Sequence, residues 1–294
     1  MKRKFVPYVM LAPYFFVYLA FSLFPIIFSL IISFMRWDGF SSASFIGLTN
    51  YIRVFTQDKF FYQSLKNTVI LLAFTTPSVI VLGLLTASII KDFLTKSRSP
   101  VQLMNFLPYI TTPVAIGIIF RMMFDWKSGV VNQLLALMGL PTVYWLGMPA
   151  ASRAVVIFMD IWQGYGYMMV IFLSGLSTIP DELYEAAKIE GAKWYHSFFR
   201  ITVPLLRPIF AFVITTSVIN GFRLFDQPQL LFEGSAQPLG GPDRAVLTVV
   251  MRFYEASFMS FEFGYGSALA YVLFIIIVIV SYILVRILNR DNQS

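Results

Sequence analysis

The sequence has no cysteine and a single histidine, His196. A disulfide scaffold, a thiolate nucleophile and a metal site built on several Cys or His ligands are therefore excluded. A Ser-His-Asp hydrolase would have to use that one histidine. No glycine is directly followed by lysine, so the phosphate-binding pattern G-x-x-x-x-G-K-[ST], whose amides and lysine hold a nucleotide, is absent. Charge is also scarce. Asp, Glu, Lys and Arg make up 13% of the 294 residues, against roughly 25% in an ordinary soluble domain, too few to cover an exterior with solvated groups. What is abundant is apolar: 58% hydrophobic residues, 17% aromatic, 31 of them Phe, with a mean hydropathy of +0.74. Disorder is excluded and a lipid-facing exterior is expected. The formal charge of +7 suits either nucleic acid or a membrane protein's topology, and the placement of the charges decides between them.

Charge-free stretches run over 5–35, 67–90, 99–120, 161–180, 208–222 and 263–285. A hydrocarbon core of about 30 Å takes about 20 apolar residues in a helix. The fourth run reaches that length by extending back through Ala154 with Asp160 inside the membrane, the fifth by starting near Leu205 with Arg207 snorkelling to the interface. Six spans are expected, at about 8–34, 68–90, 102–124, 154–176, 205–223 and 268–286. The uncharged stretch 128–152 holds Gly129, Gly139, Pro141, Gly147 and Pro149 and reads as an external loop with one short interfacial helix. With the N-terminus inside, twelve of the 22 Lys and Arg fall in the short inner segments (Lys2, Arg3, Lys4; Lys91, Lys96, Arg98; Lys188, Lys193, Arg200, Arg207; Arg286, Arg290), as the positive-inside rule requires. Nucleic-acid binding loses its support. The run from Phe5 to Met35 is too long for the apolar region of a cleaved signal and is expected to persist as the first span, bent by Pro7, Pro13 and Pro25.

The inner loop 177–207 has ordinary soluble composition. Pro180 fits a first helical position, Asp181 and Glu182 suit the positive end of a helix dipole, and Pro204 stops any helix that reaches it. One helix of about four turns is expected, with Leu183, Ala187, Gly191, Trp194 and Phe198 on one face. Ala186, Ala187, Gly191 and Ala192 would let another surface approach the backbone closely. Glu185-Ala186-Ala187, Gly191 and Ile201-Thr202-Val203-Pro204 resemble the EAA motif of permease subunits of binding-protein-dependent ABC importers. Trp162-Gln163-Gly164-Tyr165-Gly166-Tyr167, Phe172–Leu176, Ile179-Pro180, Phe225-Asp226, Gly240-Gly241-Pro242, Tyr254, Gly264–Ala268 and the N-terminal Pro13, Pro25 and Trp37-Asp38 are similar to the sugar-permease branch that includes the maltose and glycerol-phosphate systems. The resemblance spans essentially the whole chain. It departs at 232–237, where such permeases usually have a shorter run.

The resemblance implies an all-α fold, the six-transmembrane-helix core of an ABC importer permease in one transmembrane domain, 1–294, in a prokaryotic cytoplasmic membrane with both termini cytoplasmic. It implies a coupling helix within 177–204 that docks in a cleft of a separate ATPase, with Glu185, Ala186, Ala187, Gly191, Ile201 and Pro204 as docking residues. The partners it implies are a second homologous permease subunit, two cytoplasmic ATPase subunits that use ATP and Mg, and an extracytoplasmic solute-binding protein; this chain binds no cofactor and is not itself an enzyme. A helix that merely caps the spans is the plain structural alternative for the loop.

For a polar solute, hydrogen-bonding and stacking groups between the spans are the candidates. Asp160 is followed by Trp162, Gln163, Tyr165 and Tyr167, and a second set is Asn220, Gly221, Phe222, Phe225 and Asp226. A carboxylate can accept sugar hydroxyls and a ring can stack on a pyranose face; equally, these residues fit an interfacial aromatic belt and an external cap. Pro108, Thr111, Thr112 and Pro113 suit a kink in the third span. Val246, Val249, Val250, Phe253 and Tyr254 have helical spacing and read as a re-entrant or interfacial helix. An ion-gradient-driven carrier is the other transport class open to the sequence. It calls for relays of ionisable groups and an internal repeat, and beyond Asp160 neither is evident.

Overall fold

Each charge-free run becomes helix in the computed structural model, which describes residues 6–93, 98–234 and 237–290. The expected inner cations Lys2, Arg3, Lys4 and Lys96, and Ser235 and Ala236 of the departing loop, lie outside the described residues. Among the described residues five helical stretches are long and apolar enough to cross a bilayer: Met10–Ser33, Lys59–Asp92, Pro149–Leu176, Arg207–Phe232 and Phe263–Leu288; a bent pair, Ser99–Ile110 and Pro113–Met123, makes a sixth if counted as one span. The protein is an all-α membrane protein.

In chain order, α1 (Val6–Tyr18) and α2 (Phe24–Ser33) are joined by a π-helical turn, Leu19–Leu23. Pro25 lacks the amide that would bond one turn back, so the irregularity falls just before it. A minimal antiparallel hairpin pairs β1 (Met35–Arg36) with β2 (Ser44–Phe45). Its loop is shaped by Asp38, whose carboxylate accepts the Ser41 amide at 2.7 Å, the Phe40 amide at 2.9 Å and the Ser41 hydroxyl at 2.8 Å. These donors pull its pKa down to about 2. Then come α3 (Thr49–Thr56), α4 (Lys59–Phe93), α5 (Arg98–Ile110) and α6 (Pro113–Met123). The third span is not continuous, as the sequence reading had it: α5 and α6 meet at 93°. Thr112 precedes Pro113 and takes the extended conformation (φ −61, ψ 137) that the proline ring favours there.

The stretch 124–148 contains α7 (Val130–Leu137) and leads into α8 (Pro149–Leu176). The loop 177–207 forms α9 (Asp181–Ile189) and α10 (Trp194–Ser197), then a π turn (Phe198–Thr202) and α11 (Val203–Leu205). The fifth span is α12 (Arg207–Phe222) followed by α13 (Asp226–Phe232). The segment 233–262 holds α14 (Val249–Tyr254), extended by a π turn, Glu255–Met259, and α15 (Phe263–Arg290) completes the set. Val246 precedes α14 and is fully buried, so the expected helix starts three residues later than its spacing suggested.

The chain forms two compact units. The first comprises the residues up to Tyr62 together with Arg252–Ile276. The Asn50 amide nitrogen donates to the Ser33 and Met35 carbonyls, each at 2.9 Å, closing the end of α2. Buried Asp58 accepts the Tyr265 hydroxyl at 2.6 Å and Arg252 Nε at 2.9 Å. Most side chains of Met10–Ser33 are exposed, which leaves an apolar surface for lipid or another chain.

The second unit comprises Gln63–Met251 and the residues from Ile277 onward. One core gathers Ile80, Leu84, Met169, Phe172, Leu176, Leu206 and Val213 from α4, α8 and the start of the fifth span. Another joins Leu71, Ile116, Phe120, Val156, Met159 and Leu231. At Gly166 α8 approaches α5 so closely that a side-chain carbon would overlap the Asn105 carbonyl oxygen. Only glycine allows this contact.

Candidate functional site

Between α4, α5, α8, α12 and α13 lies a cavity of about 390 Å³, within the range of roughly 300–1,000 Å³ of small-molecule sites. The α8 wall follows from helical geometry. At 100° per residue, Asp160, Gln163, Gly164 and Tyr167 share one stripe, whereas Trp162 and Tyr165 point elsewhere. The structure brings seven of the expected pathway residues to the cavity: Asp160, Gln163, Tyr167, Asn220, Gly221, Phe225 and Asp226. It does not bring Trp162, Tyr165 or Phe222. The Trp162 ring packs on Phe120 at 5.6 Å, the Tyr165 hydroxyl donates to Asn105 Oδ1 at 2.8 Å, and Phe222 is buried in helix packing.

Thr75 hydrogen-bonds the Asp160 carboxylate. The Gln227 amide donates to Gln163 Oε1 at 2.8 Å, linking α13 to α8. Tyr109 and Tyr167 stack with centroids 4.6 Å apart and planes 12° from parallel; both line the cavity. The buried Ser217 hydroxyl, also in the lining, has no hydrogen-bond partner among the described residues. The arrangement supplies hydrogen-bond acceptors and donors beside an aromatic surface. Sequence reading missed Thr75, Tyr109, Ser217 and Gln227. Tyr109 adjoins the flagged Pro108 and Gln227 the flagged Asp226, but Thr75 and Ser217 adjoin no flagged residue, and small uncharged polar residues carry no signal of their own in a membrane helix.

The second site is the loop 177–207. No residue of α9 is buried; Glu185 and Ala186 are exposed, Ala187 is half-buried, and Ile189 is 87% exposed. The single four-turn helix is corrected by the structure, because the chain turns at Gly191, whose φ is +75. The Gly191 amide donates to the Lys188 carbonyl at 3.0 Å and the Ala192 amide to the Ala187 carbonyl at 2.9 Å, the Schellman pattern that ends a helix on a left-handed residue. The proposed common face of Leu183, Ala187, Gly191, Trp194 and Phe198 is thereby broken. Gly191 is fitted to this turn, with no other group within 4 Å of the place a side chain would occupy. Ile201 packs on the core of the bundle, and Pro204 sits within the first turn of α11 without stopping the chain's helical course; the break falls at Leu206. His196 is exposed. Among the described residues no group of three His, Asp or Glu side chains is placed to hold a metal ion.

Apolar spans thus surround a polar cavity, with a solvated helical loop at one end. Residues 60–293 match the family described as "binding-protein-dependent transport system inner membrane component", and the chain belongs to that family. It is 33% identical over 286 residues to the arabinooligosaccharides transport system permease protein AraP of Bacillus subtilis, covering 97% of this chain and 89% of that one. The lactose transport system permease protein LacF of Rhizobium radiobacter is 32% identical over 266 residues, covering 90% and 87%. A chain of the crystal structure of a bacterial alginate ABC transporter in complex with an alginate pentasaccharide-bound periplasmic protein superposes with a TM-score of 0.86 at 22% identity, over 100% of this chain and 96% of that one, and shares the fold. The protein is thus a multi-pass inner-membrane permease of an ABC importer, and the ion-gradient-driven carrier is set aside.

Proposed function

We propose that this permease carries a sugar or short oligosaccharide through the Asp160 cavity. The observation that supports it best is the pairing of Asp160, Gln163 and Gln227 with the stacked Tyr109–Tyr167 rings around one space. Hydroxyl-rich solutes need acceptors and donors at their edges and an apolar surface for their ring faces. The curated relatives named for arabinooligosaccharides and lactose agree.

In this reading a solute-binding protein delivers the sugar, a second homologous permease completes the pathway, and two cytoplasmic ATPase subunits supply the energy with ATP and Mg. Both termini face the cytoplasm. Glu185, Ala186, Ala187 and Gly191 present the coupling segment to the ATPase, Ile201 and Pro204 seat it on the bundle, and its movement opens the pathway to one side at a time.

The test identifies the sugar from the ligand retained by the co-encoded binding protein and then measures its uptake in vesicles. Asp160→Ala removes a charged acceptor, an interaction of about 1.5–3 kcal/mol. Uptake at low solute concentration is expected to fall about 10- to 100-fold, and Tyr167→Ala should act in the same direction. Unchanged uptake in both variants would exclude this cavity as the pathway.

A further inference from the structure

The geometry points to Lys91 and Asp92, adjacent residues at the end of α4, as the positioning pair that makes α4 and α8 follow the coupling helix. The inference rests on the docking of α9 proposed above. Lys91 Nζ donates to the carbonyl of Leu176, the last residue of α8, at 3.0 Å. It also lies 3.4 Å from Asp181 Oδ1 in the first turn of α9 and 4.7 Å from the centroid of the Tyr184 ring. Tyr184 in turn shares a 2.9 Å hydrogen bond with Thr202 on the approach to the fifth span. On the far side of the Gly191 turn, the Trp194 indole donates to Asp92 Oδ2 at 3.3 Å. Two neighbouring side chains of one span therefore hold α9 at its entry and at its exit.

Beside the Tyr184 ring, which packs on the bundle core, these polar links are what the structure shows holding α9 to the spans. The helix buries no residue, and a cavity of about 560 Å³ separates it from the span ends, lined by Ser88, Lys91, Leu176, Tyr184 and Trp194 among others. A packed interface transmits displacement through close contacts; across a gap, the remaining bonds must do so. Asp181 is 80% exposed, so its ion pair alone is weak. The Lys91 side chain is only 19% exposed, and its ammonium is held jointly by a helix C-terminal carbonyl, an aromatic face and the carboxylate. Removing the ammonium frees all three at once and lets α9 pivot on the short turn that precedes it.

The test uses the assembled transporter in proteoliposomes and reads ATP hydrolysed per solute taken up. In Lys91→Met the ATPase is expected to co-purify and hydrolyse ATP, while that ratio rises about tenfold, the size of an ordinary coupling between sites. Lys91→Arg keeps the cation and should hold the ratio within about twofold of wild type, a rescue that a purely packing role of the side chain would not give. Trp194→Phe, which loses only the indole donor, should raise the ratio in the same direction. Wild-type ratios in Lys91→Met and Trp194→Phe overturn the proposal. If Lys91→Met does not assemble, the exposed Asp181→Asn decides by the same readout: a raised ratio supports the proposal and an unchanged one overturns it. Uptake by the unsubstituted protein without the ATPase would instead show the docking reading to be wrong, before any variant is made.

Discussion

Glu185→Lys is expected to abolish uptake while leaving the protein inserted and folded. The carboxylate projects from an exposed position on α9, with no hydrogen bond or ion pair to any described residue, so charge reversal breaks nothing inside the chain. Surface substitutions of this kind cost within about 0.5 kcal/mol. The cost appears at the proposed interface. Replacing a carboxylate that pairs with a buried basic group removes about 2–5 kcal/mol of binding, and a lysine adds repulsion. Uptake should fall at least about 100-fold, with loss of ATPase co-purification and an unchanged thermal unfolding midpoint. Wild-type uptake and co-purification would remove Glu185 from the docking surface.

The largest stability effect is expected at Asp58. Its Oδ1 accepts the Phe60 amide at 2.9 Å and the Phe61 amide at 3.1 Å, capping the start of α4. Its Oδ2 receives the Tyr265 hydroxyl and Arg252. The side chain is 3% exposed and that of Arg252 13%, so Asp58→Ala leaves a largely buried guanidinium with Glu255, 3.0 Å away, as its remaining charge partner. Breaking such a pair costs about 3–5 kcal/mol, a drop in unfolding temperature on the order of 10 °C. Burial alone would raise the Asp58 pKa. The Tyr265 hydroxyl and the Arg252 guanidinium outweigh it and hold the carboxyl below the ordinary range. The folded-state pKa is therefore the lower one, and the stabilisation is complete above about pH 4 and is lost as pH falls through the depressed value. Asp58→Asn should flatten that part of the acid limb in detergent unfolding curves; an undiminished acid limb would assign it to other carboxylates.

Much of the fold was legible because lipid exposure and charge placement are carried residue by residue. The runs near 68–90 and 154–176 located α4 and α8, although both helices extend further, α4 to Lys59 behind its Asp58 cap and α8 to Pro149. The misread details depend on conformation or on distant partners. Gly191 was taken as a small residue for close approach, yet its positive φ ends α9 and splits the expected helix. Pro108 and Pro113 announced a kink but not its 93° size. On α8 the flagged residues divide by direction: counting helical steps from Asp160 brings Gln163 and Tyr167 to the cavity wall and turns Trp162 and Tyr165 away from it. The Asp58–Arg252–Tyr265 group was not visible in the sequence, since its members lie 194 and 207 positions apart.

The most direct test of the central claim is solute uptake in proteoliposomes holding this chain, its partner permease, the ATPase subunits and the solute-loaded binding protein. Uptake is expected only when ATP, the ATPase and the binding protein are all present, and omission of any one should abolish it. Uptake that persists without ATP, or without the ATPase, would contradict the account.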